Sequence, residues 1–196
     1  NYTLDFQPLP EGFTVTRFDL TVTVTNPTGP ELTYKSAKII PVFADNRLSF
    51  NNGGKDDLIF TYTYYVQGEE GFTSMGQTEP VGVGTYYVVV TLTDGADKEN
   101  YSFTKEQGDA YTIVPKRLTD PQWNYISAVY GEAKDASVAF DGVLNNEDLS
   151  LTYTYDGAGA HPVDVDTYTV EAKINNPNYC APLGGSTVQE EYTITK

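Results

Sequence analysis

The chain has 196 residues, 27 of them acidic and 12 basic, for a net charge of −15. Such a surface repels nucleic acid and anionic membranes, so neither is expected as a partner, and it favours a soluble monomer. No apolar run reaches membrane-spanning length, and the single cysteine, Cys180, excludes a disulfide within the chain.

The 16 tyrosines, together with abundant Val, Thr and Phe, favour strands over helices. Tyrosine suits a thin β-domain because its ring packs while its hydroxyl stays wet. One motif recurs three times: NYTLDFQPLPEGFTVTR at 1–17, NYSFTKEQGDAYTIVPK at 100–116 and NYCAPLGGSTVQEEYTITK at 178–196. Each copy is Asn-Tyr, a polar or turn-forming middle, then an aromatic and an alternating Thr/apolar strand. The chain thus opens on the end of one unit and runs through two more, as a piece of a tandem array would.

Taken in order, residues 1–17 read as a leading hairpin with a Pro/Gly turn at 8–12. Strict alternation over 20–25 predicts a strand, ended by NPTGP at 26–30. Residues 34–43 predict a second strand, with Pro41 arguing for a bulge or an edge. LIFTYTYYV at 58–66 is the strongest strand of the first unit. Residues 67–79 are a polar loop or an extra hairpin, and a strand follows over 85–92.

The second unit repeats this order. Residues 130–140 correspond to 34–43, LTYTY at 151–155 to FTYTY at 60–64, and PVDVDTYTV at 162–170 to PVGVGTYYV at 80–88. The offset falls from 91 to 82 between the last two pairs, so the first unit holds nine extra residues, in the 67–79 segment. Alternation places Tyr168, Val170, Ala172 and Ile174 on one face and Thr167, Thr169, Glu171 and Lys173 on the other. In the first unit Tyr65, Tyr87 and Val89 stand where the second has polar residues, so that outer face is expected to be covered, by the 67–79 insertion or by the neighbouring unit.

The motifs at 130–133 (YGEA), 140–149 (FDGVLNNEDL), 165–170 (VDTYTV), 176–179 (NPNY) and 192–196 (YTITK) resemble the MBG-type repeats of bacterial surface proteins. The first unit keeps Gly-Thr-Tyr at 84–86 but has Tyr34-Lys35 in place of Tyr-Gly. The resemblance implies an Ig-like extracellular module of a secreted or wall-anchored protein, with no catalytic residues. The expected fold is therefore all-β, two tandem antiparallel Ig-like β-sandwich units. The units span 18–116 and 117–196, behind the leading hairpin. A β-grasp unit is the alternative and would need a helix.

Chemistry is sparse. The one histidine, His161, lies in a loop and reads as exposed. No nucleophile elbow, phosphate loop or zinc motif is present, so no enzyme and no cofactor are expected. Asp156, Asp164 and Asp166 are the calcium candidates, since calcium takes six to eight oxygens. Trp123, Tyr125 and Tyr87 are the candidates for stacking on a ligand, although Trp123 also suits a role as a core or junction cap. A Lys–Asn crosslink would need a buried lysine beside an acid; Lys134 and Lys173 alternate with apolar residues, but Lys173 faces outward. Cys180 reads as a small core residue. Three functions fit: a spacer beside neighbouring repeats, an adhesive module for glycan, mucin or host protein, and an accessory domain of a secreted enzyme.

Overall fold

The computed structural model describes residues 15–48, 54–132 and 134–196. Nearly all of the expected leading hairpin lies outside them. The first strands are β1 (Phe18–Asp19), β2 (Val22–Thr25), β3 (Val42–Asp45), β4 (Ile59–Gly68), β5 (Gly71–Gly76) and β6 (Gly84–Asp94). They continue with β7 (Tyr101–Ser102), β8 (Lys105–Gln107), β9 (Tyr111–Ile113) and β10 (Lys116–Arg117). The remainder are β11 (Thr119–Asn124), β12 (Ser127–Val129), β13 (Ser137–Asp141), β14 (Thr152–Tyr155), β15 (Thr167–Lys173), β16 (Tyr179–Cys180) and β17 (Thr187–Thr195). The fold is all-β and sandwich-like, and no α-helix occurs among the described residues, so the β-grasp alternative finds no support there.

Two larger sheets organise the chain. In the first the order is β5-β4-β6-β8, with β9 also pairing β6; in the second it is β12-β17-β15-β14. The extra residues of the first half form β5, which pairs with β4 and widens that sheet by one strand. Phe72 of β5 packs edge-on against Tyr87, and Tyr87 stacks on Tyr65 at 4.6 Å between ring centres. Tyr65, Tyr87 and Val89 are half-buried. The insertion thus lies beside these residues in the same sheet and shields them from its edge.

The polar alternation of β15 behaves as its sequence demands. Val170, Ala172 and Ile174 are buried, Thr167, Thr169 and Lys173 are exposed. The strands expected over 34–43 and 130–140 are shorter than their sequences suggested. Only Val42–Asp45 and Ser137–Asp141 are regular, preceded by irregular backbone with Ser36 at φ 54°. Pro41 is buried and cannot donate to a ladder, and the Lys-Ser-Ala-Lys run before it carries no alternation to bury.

Besides the antiparallel ladders there are parallel pairings: β1 with β7, β10 with β16, and β12 with β17. Their geometry is duplicated. The Leu20 N–H donates to Ser102 O and the Leu118 N–H to Cys180 O. The Tyr86 hydroxyl donates to Gly82 O and the Tyr168 hydroxyl to Asp164 O, both at 3.0 Å. The Tyr34 N–H donates to Val114 O at 2.9 Å and the Tyr130 N–H to Thr195 O at 2.8 Å. Sequence repetition is therefore accompanied by repetition of hydrogen bonds.

The buried side chains form three clusters. Leu20, Leu58, Leu92 and Tyr101 form the first, and Ala128, Ala136, Tyr155, Val170, Tyr192 and Ile194 a second. The largest lies between them and joins Tyr34, Ile39, Tyr86, Tyr111 and Ile113 to Leu118, Phe140, Leu149, Ile174 and Tyr179. It draws on both halves of the chain, so the halves share a core.

Gly95 follows β6 at φ +121°, and a Cβ built there would sit 2.2 Å from Asp57 O. Gly95→Ala should cost at least about 1–3 kcal/mol from backbone strain alone, read as a lower urea midpoint. An unchanged midpoint would contradict the close approach of 57–58 to the end of β6.

Candidate functional site

The most elaborate polar constellation sits where the halves meet. Asn145 and Asn146 both have positive φ, at 50° and 55°, and turn the chain so that Glu147 faces back toward the first half. Its carboxylate accepts hydrogen bonds from the Tyr34 hydroxyl at 3.0 Å, from the Ser36 hydroxyl, and from the Tyr179 hydroxyl at 2.8 Å. Tyr34 and Ser36 come from the first half and Tyr179 from the second. The Tyr34 and Tyr179 rings meet edge to face at 5.6 Å. The Val83 N–H donates to Asn178 Oδ1 at 3.0 Å, and the Leu144 N–H donates to the Tyr179 hydroxyl at 3.1 Å.

The electrostatics suit holding rather than reacting. Donation by Ser36, then by Tyr179 and Tyr34, holds the Glu147 carboxyl below the ordinary carboxylate range, against some opposing desolvation. Burial pushes the Tyr34 and Tyr179 hydroxyls up, so both stay protonated and donate. A carboxylate satisfied by three hydroxyls is neither a free base nor a nucleophile.

A smaller version recurs at the other end of the first half. The Tyr101 hydroxyl donates to Asp56 Oδ2 at 2.5 Å and accepts from the Leu48 N–H at 2.9 Å. Asp56 stands before Asp57-Leu58 as Glu147 stands before Asp148-Leu149. The motif's Asn-Tyr is thus an anchor whose tyrosine hydroxyl binds a turn carboxylate. Turn-forming composition alone at 56–57 and 145–148 does not disclose this. The signal was present: both copies carry an acid two residues before a leucine that precedes the Thr-Tyr-Thr-Tyr strand.

The sequence-predicted residues fall elsewhere. The Asp156 carboxylate accepts from the Thr169 N–H at 2.7 Å, and Asp166 from the Thr167 N–H at 2.8 Å, while Asp164 is exposed. Among the described residues no group of three or more His, Cys, Asp or Glu side chains is placed to hold a metal ion. Trp123 is half-buried and meets Tyr153 edge-on at 6.5 Å, at the margin of two hydrophobic clusters. Tyr125 is 64% exposed at φ 55° in the turn after β11. Tyr87 on β6 lies against Tyr65 of β4 and Phe72 of β5, and no ring contact joins it to Trp123 or Tyr125 among the described residues.

His161 is half-buried rather than freely exposed. It lies edge-on between Tyr155 and Tyr192 at 5.3 and 5.5 Å, with Nε2 2.9 Å from the Tyr192 hydroxyl. Lys134 pairs with Glu132 at 3.1 Å with its side chain 49% exposed, and Lys173 is exposed, so neither offers the buried amine that a crosslink needs. Cys180 is half-buried in β16.

Residues 124–191 match the family model described as MBG domain. No curated protein and no solved structure matches the chain. The matched span runs from the end of β11 into β17 and includes Glu147, Asn178 and Tyr179.

Tyr34→Ala should cost about 3–5 kcal/mol, as large-to-small aromatic substitutions in cores do, and Tyr34→Phe distinctly less, because the ring stays. Urea denaturation checks the order. The depressed carboxyl of Glu147 contributes stability that is complete above its unfolded pKa, about 4.3, and is lost as pH falls through its lower folded value. Glu147→Gln should remove that part of the acid dependence below pH ~4 while leaving the remainder. Superimposable acid-unfolding profiles would show that Glu147 does not couple to folding.

Proposed function

We propose that residues 18–116 and 117–196 are successive repeat units of a non-catalytic spacer in a bacterial surface protein, working outside the cell. The observation that carries this reading is the shared core between the halves, closed by the Tyr34–Glu147–Tyr179 constellation. A spacer must transmit position, which a flexible joint cannot do. Here the connection is held on both sides of Pro115: the Tyr34 N–H bonds Val114 O, and the Lys116 N–H bonds Asn178 O. The MBG-domain match over 124–191 supports a surface-type repeat module. The polar groups at the joint are engaged with each other, which supports a structural role for them over a catalytic one.

A second reading, adhesion to a glycan or host protein, draws on one observation. Tyr65, Tyr87 and Phe72 form a half-buried aromatic group on the outer face of the first sheet, with Phe72 40% exposed. Exposed aromatic groups are common anchors for ligands.

Small-angle scattering of the chain should fit one rigid particle. Inserting four Gly/Ser residues between Pro115 and Lys116 should broaden the distance distribution. A broad distribution from the native chain would remove the spacer reading. A saturable glycan or mucin hit, abolished by Tyr87→Ala, would put adhesion first.

A further inference from the structure

The far end of the second half repeats the surface that the first half presents to the joint. Tyr130 is held by Thr195 O as Tyr34 is held by Val114 O. Val129 pairs with Thr195 in parallel as Thr33 pairs with Val114. Tyr168 bonds Asp164 O as Tyr86 bonds Gly82 O. Ser36 is thereby matched by Glu132, Gly82 by Asp164 and Val83 by Val165. The difference is cover. Tyr34 is 5% exposed beneath the second half, while Tyr130 is 63% exposed and Val163 70%. Tyr130, Glu132, His161, Val163 and Ile194 line an open concavity of about 230 Å³ there.

We propose that this end is a docking face for the Asn-Tyr end of another β-unit of the same kind, one without an acid at the position of Glu147. The inference rests on reading the halves as repeat units. The first part of it follows from continuity with the existing joint, where the same backbone geometry buries the matching tyrosine. The second part follows from charge. At the joint, Ser36 donates to Glu147 and a Cβ on Gly82 would sit 3.5 Å from Asn178 Oδ1. At the free end both positions carry carboxylates, Glu132 and Asp164. An acidic partner such as Glu147 or Asp56 would then face a like charge, which disfavours docking. Neither Asn-Tyr end of this chain therefore fits its own free end, and the order of units is fixed by the residues at positions 132 and 164.

The test uses the full chain, whose own Asp56–Tyr101 end serves as the probe. Sedimentation equilibrium would be run on the native chain, on Glu132→Ser with Asp164→Gly, and on that variant with Tyr130→Ala added. The native chain should remain monomeric. The first variant, which restores the residues found at the joint, should associate head to tail. Adding Tyr130→Ala should weaken that association at least tenfold. A restored variant that stays monomeric overturns docking at this face. Native association equal to that of the variant overturns the charge rule. Either failure beside rigid scattering of the native chain would leave the spacer reading intact, so the two can be told apart.

Discussion

The structure depends on one carboxylate reached from two sides. Glu147 accepts from Tyr34 and Ser36 of the first half and from Tyr179 of the second. Hydrogen bonds to a charged acceptor are stronger and more directional than neutral ones. Directionality matters most here, because apolar contact between two β-sandwich ends has no preferred rotation by itself. The core at the joint excludes water; the carboxylate sets the angle. The backbone bonds flanking Pro115 then leave the connection no slack.

The same device is used twice, and the two uses differ in a way that physics explains. Asp56 binds Tyr101 at the outer end, and the side chain is short. Glu147 is one methylene longer and reaches three hydroxyls, two of them across the joint. Each tyrosine anchors the turn of its own half, and the longer acid adds the link to the neighbour. At the N-terminal end Phe18 lies edge-on against Tyr101 at 5.7 Å, and at the joint Tyr34 lies edge-on against Tyr179 at 5.6 Å.

Much of the fold was legible in the sequence, and the reasons are local. Strands β4, β6, β14 and β15 carry long alternating or β-branched runs, so their existence and inward faces could be read directly. The added hairpin at β5 was legible as an offset between repeats. The segments before Val42 and Ser137 were not, because irregular backbone is stabilised by single bonds such as the Tyr34 N–H to Val114 O, which leave no periodic trace. The Glu147 constellation was hidden for a related reason. Tyr34 and Glu147 lie 113 residues apart, and each reads alone as an ordinary surface or turn residue. Trp123 was legible as a packing residue, while its partner Tyr153 on β14 became visible only because Trp123 pairs opposite Val138, whose N–H donates to the Tyr153 hydroxyl.

The central claim is that the halves fold as one body across the joint. Differential scanning calorimetry tests it most directly. One transition whose calorimetric and van't Hoff enthalpies agree is the expected result, splitting into two when Tyr34→Ala and Glu147→Gln are combined. Two independent transitions in the native chain, unmoved by those substitutions, would show that the joint couples nothing.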